Sequence, residues 1–123
     1  LFNLDAMTTI CQILSPASVG HDVSRDGTDN LWTYDLADGR GIKKAVAFLF
    51  PYIADKKKWS HKPDVMYHAE WPMRHPSLLF AGFALGEQRY LELWKKLPAD
   101  STVEEVIRNF FVRQPLLWVE PTS

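Results

Sequence analysis

Three things are scarce in this chain: cysteine, net charge and long apolar runs. Cys11 is the only cysteine among 123 residues, which excludes an internal disulfide and a cysteine-based zinc set. A formal net charge of −1 gives no indication of a nucleic-acid or membrane-surface partner. The longest apolar runs also fall far short of the ~20 residues that a membrane span needs.

What the chain does have is an ordinary globular composition with an excess of aromatic residues. Hydrophobic residues make up 46% and charged residues 24%, which is enough for one core, and we treat residues 1–123 as one domain. Aromatic residues reach 13%, with five tryptophans, and such rings serve both as core filler and as stacking platforms. Cys11 lies between Ile10 and Ile13, a setting that predicts a buried thiol.

The first segment, Phe2 to Leu14, predicts a helix whose apolar residues surround most of its circumference. Such a helix is normally buried on several sides. Ser15-Pro16 should end it, because the residue before a proline is disfavoured in the α region. The chain starts at Leu1 inside this pattern, without an initiating Met or a signal peptide, and this start indicates the cut end of a longer protein.

Further along, apolar residues with helical spacing follow Asp38, a predicted N-cap, and Pro51 should kink or end that helix. Additional helices are predicted from Pro76 to Leu85, from Tyr90 to Leu97, and after a capping-box pattern in which Ser101 pairs with Glu104 or Thr102 with Glu105. The tail from Arg113 onward should be extended.

Two long polar segments separate these helices, 18–38 and 56–72. A short extended patch, Leu31 to Tyr34, is predicted inside the first. No segment alternates with period two for long enough to build a sheet, so the fold class is all-α. Loops of this length are unusual in a compact helical domain and are usually functional or disordered.

Three groups of motifs resemble the last third of the alginate lyase domain. The motifs are Phe2-Asn3-Leu4-Asp5-Ala6-Met7; Leu31-Trp32, Asp38-Gly39-Arg40-Gly41-Ile42-Lys43-Lys44-Ala45 and Pro51-Tyr52; and Glu70-Trp71-Pro72-Met73-Arg74-His75-Pro76-Ser77-Leu78-Leu79-Phe80-Ala81-Gly82. Tyr90-Leu91-Glu92-Leu93-Trp94 and Arg113-Gln114-Pro115 extend the likeness, whose order and spacing agree over nearly the whole chain.

This resemblance implies a partial (α/α) toroid of helical hairpins, in a secreted polysaccharide lyase that cleaves uronate polysaccharides by β-elimination. We expect no cofactor, and the residues themselves give little indication of a metal site, since His68 and His75 lie seven residues apart and no HExxH pattern occurs. The family's catalytic Asn-His pair, and its Arg and Tyr before the Phe-Asn-Leu segment, have no counterpart in this chain. We therefore assign no catalytic residue, and we expect the chain to contribute the wall of a substrate cleft.

Tyr67, His68, Trp71 and Arg74 form the densest cluster of polar and aromatic groups, and we predict that they bind substrate. In that hypothesis Arg74 or a histidine binds a uronate carboxylate while Trp71 stacks on a sugar. The alternative is structural: Trp71 anchors a loop and Glu70 pairs with Arg74.

Asn3 is the fifth predicted substrate-binding residue, with a helix cap as its alternative role. Lys56-Lys57-Lys58 with Trp59 is a further candidate for attracting an anionic polymer, although a solvated charged loop explains the same pattern.

Two functions follow from these observations. The chain is either part of a polysaccharide lyase, inactive alone, or a non-catalytic saccharide-binding or otherwise bioactive fragment. The expected partner is an acidic polysaccharide, with no nucleic acid and no membrane. The all-round apolar first helix also predicts a homo-oligomer, or association with a missing N-terminal portion.

Overall fold

The computed structural model describes residues 1–15, 30–62, 73–108 and 114–119. Its α-helices are α1 (Phe2–Leu14), α2 (Ile42–Ala54), α3 (Pro76–Leu85), α4 (Gln88–Lys96) and α5 (Glu104–Arg108), with short 3₁₀ turns at Lys56–Lys58 and Pro115–Trp118. Asp35 and Gly41 form an isolated bridge, and the described residues contain no strand. The all-α prediction is therefore confirmed.

Helix α3 is the centre of the packing and contacts α1, α2 and α4. Every residue from Pro76 to Gly82 is buried. Proline at the first helical position has a backbone already suited to the helix, and Gly86 ends α3 in the left-handed region with φ of 65°. The predicted start and end of α3 are thus confirmed.

The core forms where these helices meet and is closed by one buried loop tryptophan. Trp32 is only 1% exposed, and its indole N–H donates to the carbonyl of Ser15 at 3.0 Å. The other buried members of this core are Leu4, Cys11, Val46, Ile53, Leu78, Leu79, Phe80, Ala81 and Tyr90. Trp32 therefore connects the end of α1 to the segment that leads into α2.

Helix α1 has the predicted bounds but not the predicted burial. The face packed on the protein carries Leu4 and Cys11 together with polar residues: Asp5, Thr8, Thr9 and Gln12. The apolar residues of the opposite face, Phe2, Met7, Ile10, Ile13 and Leu14, are 47 to 67% exposed. The prediction of burial on several sides is wrong here because α3 and α2 cover only one side of this helix.

Two local predictions before α2 are also wrong. The N-cap of α2 is Gly41, and Asp38 instead accepts hydrogen bonds from the backbone and side chain of Arg40. Asp38 lies too early in the chain to reach the helix, since Gly39 turns the backbone at φ of 80°. The segment Leu31 to Tyr34 forms a turn rather than an extended patch, with Thr33 and Tyr34 donating to the carbonyl of Asn30.

At the C-terminal end the outcomes are mixed. Pro51 lies within α2, which continues for three residues and ends at Ala54. The Ser101 hydroxyl accepts from the backbone N–H of Val103, two residues on and before α5 begins, so this bond is not the predicted pairing of Ser101 with Glu104. The described part of the tail, residues 114–119, contains a 3₁₀ turn over Pro115–Trp118 rather than the predicted extended chain, and Gln12 of α1 donates to the carbonyl of Trp118 at 2.6 Å.

Candidate functional site

Arg74 is the one member of the predicted cluster that the structure describes. Its Nε donates to the carbonyl of Leu97 and its Nη2 to the carbonyl of Lys95, both at 3.0 Å. Its guanidinium also lies 5.0 Å from the centroid of the Trp94 ring. Cationic donors at a helix C-terminus satisfy carbonyls that have no partner within the helix, so Arg74 holds the end of α4 in place.

The other predicted site residues are less informative. Tyr67, His68 and Trp71, with Glu70, lie outside the described residues. Asn3 is exposed on the first turn of α1, and because Leu1 is the N-cap, the alternative role of Asn3 as a cap is wrong. Substrate binding by Asn3 stays a prediction.

The structure instead brings together two residues that lie close in sequence to Asn3 and Arg74, namely Asp5 and His75. Oδ2 of Asp5 lies 2.7 Å from Nδ1 of His75, and Oδ1 accepts from the backbone N–H of Ser77 at 3.2 Å. His75 is fully buried and Asp5 is 5% exposed. An ionised carboxylate only accepts hydrogen bonds, so Nδ1 of His75 carries the proton that they share.

Asp5 thereby serves as the N-terminal cap of a helix that lies 70 residues further along the chain. The side chain of His75, the N-cap residue of α3, makes no cap hydrogen bond within that helix. The carboxylate of Asp5 takes over this function for the Ser77 N–H and brings negative charge to the positive end of α3. Asp5 and His75 therefore fix the position of α1 against α3.

The types Ser, His and Asp invite comparison with a hydrolytic triad, but the geometry excludes one. The Ser77 hydroxyl is buried and makes no hydrogen bond to any described group, so it has no base to activate it. None of the three side chains reaches solvent enough to meet a substrate. The role of Asp5 and His75 is therefore structural, namely to hold α1 against the start of α3.

No activated nucleophile is visible elsewhere in the core. Burial raises the pKa of the Cys11 thiol, with a backbone hydrogen bond opposing the change, and burial likewise raises the pKa of Tyr90 despite the adjacent Arg89. Both shifts favour the protonated form, the opposite of what a nucleophile needs. The predicted buried thiol at Cys11 is confirmed, since its side chain is 4% exposed.

The part of the chain that the structure describes has neither a metal-binding cluster nor a membrane-spanning helix. No group of three or more His, Cys, Asp or Glu side chains lies together as a metal site would require. None of the described helices is both long and apolar enough to cross a membrane.

Sequence reasoning missed the buried pair because its members lie 70 positions apart and each has a routine local explanation. Asp5 reads as a first-turn acid and His75 as one more loop histidine. One signal was available, namely that each lies directly inside a motif that resembles the same family.

The N-terminal part of the chain matches a known protein family. Residues 1–59 match a family model described as alginate lyase, a stretch that contains α1, Trp32, α2 and the Lys56–Lys58 turn. No curated protein and no solved structure matches the chain. The motifs from Glu70 onward lie beyond the matched residues. The predicted resemblance to the alginate lyase family is confirmed over residues 1–59 of the 123.

Proposed function

We propose that this chain is the C-terminal part of a secreted lyase domain that cleaves uronate-containing polysaccharides, and that it is inactive alone. The observation that carries the proposal is the family match over residues 1–59. The helical architecture supports it, since α1, α2 and α4 packed around α3 suit a segment of a helical toroid.

The chemistry of β-elimination explains why the isolated chain should not catalyse. One group must neutralise the uronate carboxylate, a base must remove the C5 proton, and an acid must protonate O4 as the C4–O4 bond breaks and the C4–C5 double bond forms. Within the described residues, Asp5, His75 and Ser77 are sealed in the core and Arg74 is engaged at the end of α4, so none of these four side chains is free to supply such a group.

The exposed apolar face of α1 supports the proposal that this chain is one part of a larger domain. Its five large side chains carry no charged neighbour on the same face, because the only charged residue of α1, Asp5, is buried. Covering apolar surface contributes about 25 cal/mol per Å². We expect the isolated chain to pair two-fold through this face, which the N-terminal portion of a complete lyase would otherwise cover.

The test measures unsaturated uronate products by their ultraviolet absorbance. The purified 123-residue chain should give no more than trace product from alginate, whereas a longer protein that carries the family's Asn-His, Arg and Tyr upstream should give it readily. Rapid product formation by the chain alone would overturn the proposed inactivity. A longer protein that forms no unsaturated product from any polyuronate would overturn the lyase assignment.

A further inference from the structure

A row of four rings crosses the surface at the C-terminal end of α2. Phe48, Tyr52, Trp59 and His61 make up this aromatic row, with successive ring centroids 5.7, 5.1 and 4.9 Å apart. The rings meet edge to face, at interplanar angles of 64°, 85° and 67°. Edge-to-face contact is a favourable arrangement for aromatic rings, so the row has a defined shape.

The aromatic row is not part of the core. The core side of α2 carries Val46 and Ile53, whereas Phe48 and Tyr52 lie one turn apart on another face of the helix. Phe48 is 58% exposed, His61 is exposed, and Tyr52 and Trp59 are half-buried. Water therefore has access to aromatic surface along the row.

The segment that carries these rings is rich in lysine. Residues 41–62 contain six lysines and one acidic residue, Asp55, a local charge of +5 in a chain whose net charge is −1, which leaves −6 for the remainder. Asp55 is itself engaged, since its carboxylate accepts the backbone N–H of Lys57. Lys57 and Lys58 are exposed and form no ion pair with any described carboxylate.

We propose that the aromatic row and the lysines of the Lys56–Lys58 turn form a binding surface for an acidic saccharide chain. The apolar C–H face of a sugar ring stacks on the negative face of an aromatic ring such as Trp59. Carboxylates of the same saccharide pair with Lys57 and Lys58. The choice of uronates as the ligand class rests on the proposed lyase function.

Three features favour a saccharide over a solvated loop. The rings form a continuous row instead of separate contacts, which suits a linear polymer. Six of the seven charged residues in 41–62 are lysines, which suits a polyanion. The helix α2 and the 3₁₀ turn hold both features in place, with Trp59 N–H donating to the carbonyl of Lys56 at 3.0 Å.

The experiment titrates the full 123-residue chain with oligomannuronate and with a neutral oligosaccharide of equal length, by calorimetry and tryptophan fluorescence. Trp59→Ala should weaken uronate binding about fivefold or more, the loss expected for a contributing contact. Trp59→Phe should retain most of the binding, because it keeps a ring. Circular dichroism of each variant should match the parent chain and so establishes that the fold is intact.

The charge requirement has its own matched pair of variants. Lys57→Ala with Lys58→Ala should weaken binding about fivefold or more at low salt and reduce its salt dependence. Lys95→Ala with Lys96→Ala removes the same charge from the end of α4 and should leave the affinity unchanged. Binding that is equal in all variants, absent altogether, or equally tight for the neutral oligosaccharide would overturn the proposal.

These results are separable from those for the lyase assignment. If uronates bind to the aromatic row but a longer protein forms no unsaturated product, the lyase assignment fails and the binding surface stands. If product forms but Trp59→Ala has no effect on binding, the surface fails and the lyase assignment stands.

Discussion

Replacing Asp5 with Ala should destabilise this protein more than any exposed charge change. The substitution removes the acceptor for Nδ1 of His75 at 2.7 Å and for the Ser77 N–H at 3.2 Å. Both donors are buried, so water does not replace the lost oxygen atoms without opening the contact between α1 and α3.

The magnitude follows from what burial costs. Leaving a buried hydrogen-bond donor without a partner costs about 1–3 kcal/mol, and Asp5→Ala leaves two, the ring N–H of His75 and the backbone N–H of Ser77, so the loss is about 2–6 kcal/mol. Total stability is about 5–15 kcal/mol for a domain, so even the lower value is a large share. With a urea m-value of about 1–3 kcal/mol/M, a loss of about 3 kcal/mol lowers the unfolding midpoint by about 1–3 M.

The assay is urea unfolding followed by circular dichroism, with Asp38→Ala as the matched control. Asp38 also contacts a cation at 2.7 Å, Nε of Arg40, but both side chains are more than half exposed. Exposed pairs contribute only about 0–1 kcal/mol. The reasoning is refuted if Asp5→Ala and Asp38→Ala lower the unfolding free energy equally, or if Asp5→Ala costs less than about 1 kcal/mol.

Three further outcomes are expected. Gly82→Ala should lower the free energy of unfolding by about 1–3 kcal/mol, because an added Cβ would lie 2.5 Å from Cδ2 of Leu91 in α4; an unchanged free energy of unfolding would contradict that close approach. Cys11 should react slowly with a thiol reagent in the folded chain and rapidly in denaturant, because burial raises the pKa of its thiol. Equal reaction rates in the folded and the unfolded chain would contradict this burial. Because the thiol ionises more readily in the unfolded chain, the free energy of unfolding should also fall as pH rises above the ordinary thiol pKa of 9.0. Met7→Glu with Ile10→Glu should convert an α1-mediated dimer to a monomer with little change in helix content, and a parent chain that sediments as a monomer at high concentration would contradict the pairing.

Much of the secondary structure was predictable because its signals are local. Proline at the first turn of α3, Gly86 after it and Pro98 after α4 act through the backbone of their own segment, so they are visible in the sequence. Asp38 shows the limit of this approach. Its residue type suits an N-cap, but the turn at Gly39 places it elsewhere, and the turn geometry depends on several residues together.

The candidate sites divide in the same way. Residue types and order were enough to indicate a resemblance to alginate lyases, which the match over residues 1–59 confirms. They did not show that the side chain of Arg74 would be engaged with the carbonyls that end α4, or that the rings at Phe48, Tyr52 and Trp59 would form one row. Contacts of this kind join segments through space, and no spacing rule relates their partners.

The sequence by itself determined that the chain is helical, where α1 and α3 begin and end, and that Cys11 is buried, because these properties depend on local periodicity, capping and hydrophobicity. Only the tertiary structure decided which side of each helix is covered. Helix α1 turns Asp5, Thr8 and Gln12 inward and leaves Met7 and Ile10 in water, against its own apolar pattern. The physical reason is that Asp5 gains two buried hydrogen bonds from α3, and hydrogen-bond partners 70 residues apart meet only once the chain is packed.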